Sequence, residues 1–396
     1  LSYDSLPGRL KPCFSYFGIY PEDYEISARQ LIKYWIAEGF IQPQQTRIAD
    51  TTELEDVADF YLDELVDRSL VQVAKRRSDG GVKRCRIHDL IRDLCISESK
   101  SDKFLEVCTD SNIDCVSNTN PRRLSIHWKR YSDVSANTFH KSCTRSMFIF
   151  GGSMDLDHVL KNFKLARVLG CDMIQRVWSN SVSRDFKRMI HLTFLSLRVH
   201  HLPDCVCSLW NLETLHVSYF KSVSSKIWTL KRLRHLYLLW GKKLPVVLPK
   251  ANRIENLQTL VLLKRLEFRN RMYPQEIIFL LNSARFPRLR KLALDSDNAP
   301  AESGMLSSLH RLSYLHSLKL IGYLKVPSDT NAFPSNLTKI TFNPDAFRDP
   351  HPFLKTLGRL TNLQILKIIL PGDVYSDGSW LGSNIVLDII CLHFLA

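Results

Sequence analysis

Apolar residues recur along the first hundred positions at helical spacing and then in two short alternations. Leu6, Leu10, Cys13, Phe14 and Phe17 share one helical face, so the spacing predicts an opening helix that stops before Gly18 and Pro21. Ser27 and Gln30 form a capping box ahead of Leu31, Ile32, Trp35 and Ile36, with Gly39 as the stop. Thr52 and Glu55 open another helix, whose stripe includes Leu54, Val57, Ala58, Tyr61, Leu62 and Leu65. Leu70–Ala74 and Val82–Ile87 alternate as strands, joined by Ser78-Asp-Gly-Gly81, a hairpin turn signal. Asp89 is read as the cap of a last helix through Leu90, Ile91 and Leu94. Helices followed by a β-hairpin are the plan of a winged helix.

A different pattern follows. LxxLxL appears at Leu192/Leu195/Leu197 and recurs with starts at Leu212, Leu233, Leu257, Leu289, Leu315, Leu337 and Leu363. The steps between starts are 20, 21, 24, 32, 26, 22 and 26 residues, near the 20–29 of leucine-rich repeats. A weaker copy is read at Leu165 and Val168, and poorer strands at 123–127 and 145–150. Each repeat lays one strand in a parallel sheet with its leucines inward, since no repeat buries its apolar face alone. Alternation sends the intervening residues onto the concave face of a horseshoe. The candidate partner-binding residues there are Arg198, His216, His235, Tyr237, Lys291, Lys319, Lys339 and Lys367. The apolar stretch from Gly382 fits no repeat and would expose core unless covered.

Charge sharpens the division. Residues 1–110 hold 15 Lys/Arg against 20 Asp/Glu, whereas the remainder holds 39 against 20. The expected organisation is therefore α/β multidomain: a winged helix at 1–110, a polar linker at 111–121, and a leucine-rich-repeat solenoid at 122–396. The predicted helix at 53–67 carries seven carboxylates and no Lys or Arg. A phosphate backbone would repel it, which argues against nucleic acid as a partner despite the basic hairpin. The acidic first part is instead expected to dock on the basic repeats.

The ten cysteines form no CxxC pair or regular framework, which suits a reducing compartment. His200, His201, Cys205 and Cys207 fall in a return loop and are read as packing rather than as a zinc site. The sequon Asn336-Leu-Thr338 is read as part of a strand, against its glycosylation. No run of 18 apolar residues exists, so no membrane span is expected. No paired carboxylates, nucleophile elbow or metal spacing suggests an enzyme. The chain starts at Leu1, without an initiator Met or leader, and reads as part of a longer product.

Both parts resemble one family, the plant intracellular nucleotide-binding, leucine-rich-repeat disease-resistance receptors. Leu1-Ser-Tyr-Asp-Ser-Leu-Pro7, with Leu10-Lys-Pro-Cys-Phe-Ser-Tyr-Phe-Gly-Ile-Tyr-Pro-Glu-Asp-Tyr-Glu-Ile26, resembles the block that opens the last part of that family's nucleotide-binding region. Leu31-Ile-Lys-Tyr-Trp-Ile-Ala-Glu-Gly-Phe-Ile41 is similar too, and Trp35 points to the coiled-coil, non-Toll branch. Arg86-Ile-His-Asp89 resembles the family's Met-His-Asp motif, with Ile87 replacing Met.

The resemblance implies an ADP/ATP switch in the full-length parent, with His88 toward the ADP phosphate and Asp89 orienting that loop. It also implies recognition of a pathogen effector or a guarded host protein on the repeats, and a cytoplasmic place that includes the inner face of the plasma membrane. This chain has no GxxxxGK[ST] loop and no strand ending in paired aspartates. No cofactor is therefore expected for it alone. The rival readings are a winged-helix nucleic-acid-binding regulator and an extracellular leucine-rich receptor.

Overall fold

The computed structural model describes residues 3–42, 53–109, 121–128, 143–151, 153–155, 161, 163–173, 176–178, 185–239, 241, 254–263, 281, 286–296, 309–322, 330–342, 356–369 and 384–388. Packing divides the chain into two compact units, Leu1–Arg198 with Asn211–Thr214, and Val199–Trp210 with Leu215–Ala396.

After a 3₁₀ turn at Tyr3–Ser5 the first unit forms a short helix α1 (Lys11–Ser15), followed by a second 3₁₀ turn, Tyr16–Ile19. The long opening helix expected from the apolar spacing is thus broken. Cys13, Phe14, Tyr16, Phe17 and Ile19 are all fully buried, so this segment sits inside the core rather than laying one face upon it. Strand β1 (Ile26–Ser27) leads into α2 (Ala28–Glu38), and α3 (Leu54–Asp67) follows. Ser27 is the N-cap residue of α2 but makes no side-chain capping bond. Gln30, expected to complete the capping box, instead donates to the Tyr34 hydroxyl at 2.8 Å. Helix α3 is capped by Glu53, again without a side-chain bond, and Thr52 lies outside the described residues. Gly39 ends α2 in the left-handed region, φ 81°, with its N–H on the Ile36 carbonyl, the C-terminal role glycine fills without a Cβ penalty. Strands β2 (Gln72–Arg76) and β3 (Val82–Arg86) form the expected hairpin, β1 adds to β3, and α4 (Asp89–Ser101) closes the winged helix.

The parallel ladder of repeats begins at β4 (Glu106–Thr109), inside the segment read as winged helix, and continues through β5 (Arg123–His127) and β6 (Ser146–Phe150). After a small strand β7 (Ser153–Asp155) comes β8 (Val168–Met173), then β9 (Arg176–Trp178), which pairs with β7. Strand β10 (Phe194–Arg198) pairs with β8 in register Phe194↔Val168 and Leu195↔Leu169. That register corrects the reading of the weak repeat. Its inward residues are Leu169 and Cys171, both fully buried, while Leu165 is 48% exposed. Val168 takes an outward position, because one residue of slip exchanges the two faces of a strand.

In the second unit, β11 (Thr214–Ser218), β12 (His235–Leu239), β13 (Thr259–Leu263), β14 (Lys291–Ser296), β15 (Ser317–Gly322), β16 (Lys339–Phe342) and β17 (Ile365–Ile369) follow in order. Leu236, Leu260, Leu292, Leu318, Ile340 and Leu366 are at most 2% exposed and form one inward row. The stretch that fits no repeat contributes β18 (Asn384–Asp388), which runs antiparallel against β17.

Asparagine side chains tie successive turns together. Asn256 Nδ2 donates to the Lys231 carbonyl, Asn336 to Ser313 and Asn362 to Ser335, each at 2.7 Å. Asn211 does the same to Ile190 in the first unit. These bonds satisfy carbonyls that the turns leave outside the sheet. The sequon asparagine, Asn336, accordingly lies in a turn before β16 and not in a strand.

Candidate functional site

The outward positions of β5, β6, β8 and β10 are covered by the winged helix. Ser125, Ser146, Phe148, Val168, Phe194 and Ser196 are all at most 2% exposed. Helix α2 and the segment from Tyr16 to Tyr24 supply the cover, the Ser125 hydroxyl donating to the Ile19 carbonyl and Phe150 packing on Tyr20 and Tyr24. The Tyr34 ring meets Phe148 and Phe194 edge-on, with centroids 5.0 and 4.7 Å apart. Gly170 lies beneath it, where a Cβ would come within 2.9 Å of the Phe148 ring and 3.1 Å of the Tyr34 hydroxyl. Phe148, Val168 and Phe194 belong to the same hydrophobic core as Phe17 and Trp35.

A buried charge sits in this seam. Glu38, at the last turn of α2, is 1% exposed at its side chain and accepts from Arg123 of β5 at 2.8 Å. The Tyr16 hydroxyl donates to it at 3.2 Å, and the Ser146 hydroxyl also donates to it. The Arg123 guanidinium lies 4.0 Å from the Phe104 ring centroid and 4.8 Å from that of Phe40, placements that suit a planar cation on aromatic faces. Burial, with the Glu38 charge second, pushes the Tyr16 hydroxyl pKa well above its usual value, so Tyr16 stays a donor. Nearby, His127 Nε2 lies 2.9 Å from the Ile19 carbonyl, and burial holds its pKa down to about 4. None of these residues is marked by sequence spacing. The available signal is Glu38 itself, a carboxylate where the helix dipole disfavours one.

The acidic helix α3 does not make this contact. Its Glu64 binds Arg9 at 2.7 Å and Arg68 at 3.0 Å, and its Asp59 binds Arg77 of the hairpin at 3.1 Å. Glu64 and Asp59 are thus paired within the winged helix, and the charged contact with the repeats is made instead by Glu38 of α2.

His88 and Asp89 lie at the exposed start of α4. The N-cap is His88 rather than Asp89: its Nδ1 accepts from the Leu90 N–H at 3.3 Å. That bond puts the ring proton of neutral His88 on Nε2, which leaves a donor on the side away from the cap. Asp89 takes the first helical position, where its charge favours the helix N-terminus.

The outward positions of the second unit remain partly open. His216 and Tyr237 are half-buried and meet edge-on, 5.8 Å between centroids. His235 is 6% exposed, its Nδ1 3.1 Å from the Thr259 hydroxyl, so it offers little surface. Lys291 is exposed, and Lys319, Lys339 and Lys367 are half-buried. Arg198, in the first unit, is half-buried at the end of β10. Among the described residues no group of His, Cys, Asp or Glu could hold a metal ion, and no helix is long and apolar enough to cross a membrane.

Comparison with known proteins agrees with this architecture. Residues 19–95 match a family model described as the winged helix domain of disease resistance proteins. Residues 143–371, more than half of the chain, match a leucine-rich repeat region. The chain is 30% identical over 417 residues to the disease resistance protein RPP13 of Arabidopsis thaliana, covering 98% of this chain and 46% of that protein. It is 31% identical over 379 residues to the ToMV resistance protein Tm-2(2) of Solanum lycopersicum, covering 86% and 43%. It is 28% identical over 387 residues to a putative late blight resistance protein homolog, R1B-16, of Solanum demissum, covering 93% and 28%. The chain thus spans less than half the length of each of these relatives. Among solved structures, a leucine-rich-repeat protein of Leptospira interrogans is similar with a TM-score of 0.40 at 18% identity, covering 67% of this chain and 72% of that one. A disease-resistance winged helix joined to leucine-rich repeats, with relatives of that kind along nearly its whole length, means that the chain belongs to the plant nucleotide-binding, leucine-rich-repeat disease-resistance family.

Proposed function

We propose that this chain is the part of an immune receptor that reads a pathogen effector, or a host protein the effector modifies, on its repeats. Its winged helix then helps hold an ADP/ATP switch at rest. The reading is carried by one contrast: Ser125, Ser146, Phe148, Val168, Phe194 and Ser196 are sealed beneath the winged helix in the first unit, whereas Lys291, Lys319, Lys339, Lys367 and Tyr237 keep accessible surface in the second. Because Tyr34, Glu38, Arg123 and Phe148 share one seam, the winged helix and strands β5 to β10 act as a single body. Force applied to those strands is then carried directly to the end of the switch region.

The residues at the start of α4 fit one side of a phosphate group. His88 would donate from Nε2, the N-terminus of a 13-residue helix adds positive potential, and Asp89 anchors the turn. Bound ADP would supply the anionic charge that keeps the resting state closed. The remaining nucleotide contacts belong to segments of a longer protein. A cytoplasmic setting, including the inner face of the plasma membrane, suits the buried thiols of Cys13, Cys85 and Cys95.

The test is an exchange of residues 254–369 with the matching repeats of a relative, made in the full-length receptor and scored as a defence response to each elicitor. Recognition that follows the exchanged repeats supports the reading. Recognition that stays with the rest of the molecule overturns it.

A further inference from the structure

Each of the strands β14 to β17 carries one lysine at an outward position, and the register fixes where the lysines fall. Lys291 lies opposite Ser317, and Ser317 opposite Lys339, which makes one row across the strands. Lys319 lies opposite Thr341, and Thr341 opposite Lys367, which makes a second row two residues further along. The lysines therefore alternate between rows from strand to strand. With strands about 4.8 Å apart and two residues spanning about 6.6 Å, successive lysine Cα atoms are about 8 Å apart, and all four fall within about 14 by 7 Å. The intervening outward positions are Ala293, Ser317, Thr341 and Ile365, small or neutral residues. The one carboxylate at an outward position of these strands is Asp295, a row beyond Ala293. Strands β11 to β13 carry no lysine, arginine or carboxylate at theirs. The charge is thus concentrated on four consecutive strands.

We infer that this zigzag of lysines is the binding surface for an acidic segment of a protein partner, one whose carboxylates are spread along an extended or helical stretch. The inference rests on the reading of the repeats as a recognition surface and names the chemistry that surface selects. A single phosphate group is small against four lysines whose successive Cα atoms are about 8 Å apart, and does not span the set. Carboxylates two residues apart on a strand, or one turn apart on a helix, are separated by about 5–7 Å, within reach of flexible lysine stems. No arginine fork stands among these outward positions to grip a phosphate on two oxygens. Lysine is a hydrated point charge, so each pair adds a modest amount and selectivity comes from the number engaged. Three of the four lysines are half-buried, which holds their stems along the sheet and their charges over it.

The experiment measures fluorescence anisotropy of a labelled poly-glutamate peptide of about twenty residues with the full 396-residue chain. The variant K291Q/K319Q/K339Q/K367Q is compared with K75Q/K83Q/K100Q/K103Q, which removes four exposed lysines of the winged helix. At roughly two-fold per exposed pair, the first variant is expected to lose about 15-fold in affinity and the second almost none, with wild-type binding weakened by salt. The pair reversal K319E/K367E, on one row, is expected to lose more than K319Q/K367Q. Unchanged affinity in the quadruple variant overturns the inference. So does tighter binding of an inorganic polyphosphate or a DNA duplex of matched charge that is lost in the same variant, which would assign the surface to phosphate. If the repeat exchange described above transfers recognition while the quadruple variant binds peptide normally, the lysine surface fails and the reading of the repeats stands.

Discussion

Truncating Glu38 to alanine would leave the Arg123 guanidinium between Phe40 and Phe104 with no carboxylate to balance it. An uncompensated buried charge costs about 3–5 kcal/mol. The Glu38→Ala variant is therefore expected to lower the first thermal unfolding transition sharply. Replacing both partners with methionine should recover most of that loss, because it removes both charges and keeps apolar volume. Equal melting of the single variant and the wild type would show that the pair does not hold the seam.

His127 makes a prediction about pH. Its folded pKa of about 4 lies below the ordinary 6.5, because burial and Arg92 oppose the proton more strongly than the Ile19 carbonyl favours it. The unfolded chain therefore takes up the proton first as acid is added. Stability from this group is complete above pH 6.5 and is lost as the pH falls towards 4, by on the order of 2–3 kcal/mol. A His127→Gln variant should flatten the dependence of unfolding on pH over that window, and a wild-type slope retained in the variant would sink the assignment. His127 is not legible in the sequence, because burial by a distant segment leaves no local periodicity, and Glu38 shows only as a carboxylate misplaced at a helix C-terminus.

At the scale of elements, repetition makes the strands readable and its absence hides the rest. Strand starts at Phe194, Thr214, His235, Thr259, Lys291, Ser317, Lys339 and Ile365 follow directly from LxxLxL. Where the leucines thin out, at Val168, the pattern mistakes the face by one residue, since a lone apolar pair does not fix parity. Helix α1 misleads for another reason: residues buried on all sides carry no amphipathic signal. The caps mislead because a side chain able to cap can be used elsewhere, as Gln30 is. The asparagine ladder offers a test at this scale. Asn256 both donates to Lys231 and lies 3.4 Å from Arg288, so Asn256→Ala should cost about 1 kcal/mol in the second unit and speed amide exchange at β13. Gly170→Ala should act on the seam instead, since its new methyl meets Phe148 and Tyr34 at less than ordinary contact distance. Loosening of α2 by that variant, read as faster exchange at Tyr34 and Trp35, checks the arrangement.

For the whole molecule, the unequal charge of its two parts enters the contact between the winged helix and β5 through one ion pair, Glu38 with Arg123. Glu64 and Asp59 of α3 are paired with Arg9, Arg68 and Arg77 of the same domain, and α2 meets the repeats through aromatic rings, one buried pair and hydrogen bonds from Ser146, Arg167 and Thr193. Association through such a seam should be almost indifferent to salt, because buried groups are poorly screened. Raising ionic strength to about 1 M is expected to leave exchange protection in β5 and β6 unchanged, and a large loss would favour surface charge as the glue.

The sealed outward positions also limit how such a molecule can change. A substitution at Ser125, Phe148, Val168 or Phe194 must satisfy two domains at once, whereas Lys319 and Lys367 keep accessible surface. Changes of surface chemistry are thus open by single steps along β14 to β17 and closed along the buried positions of β5 to β10. A saturation library screened for folded protein should draw that border between the two groups of strands.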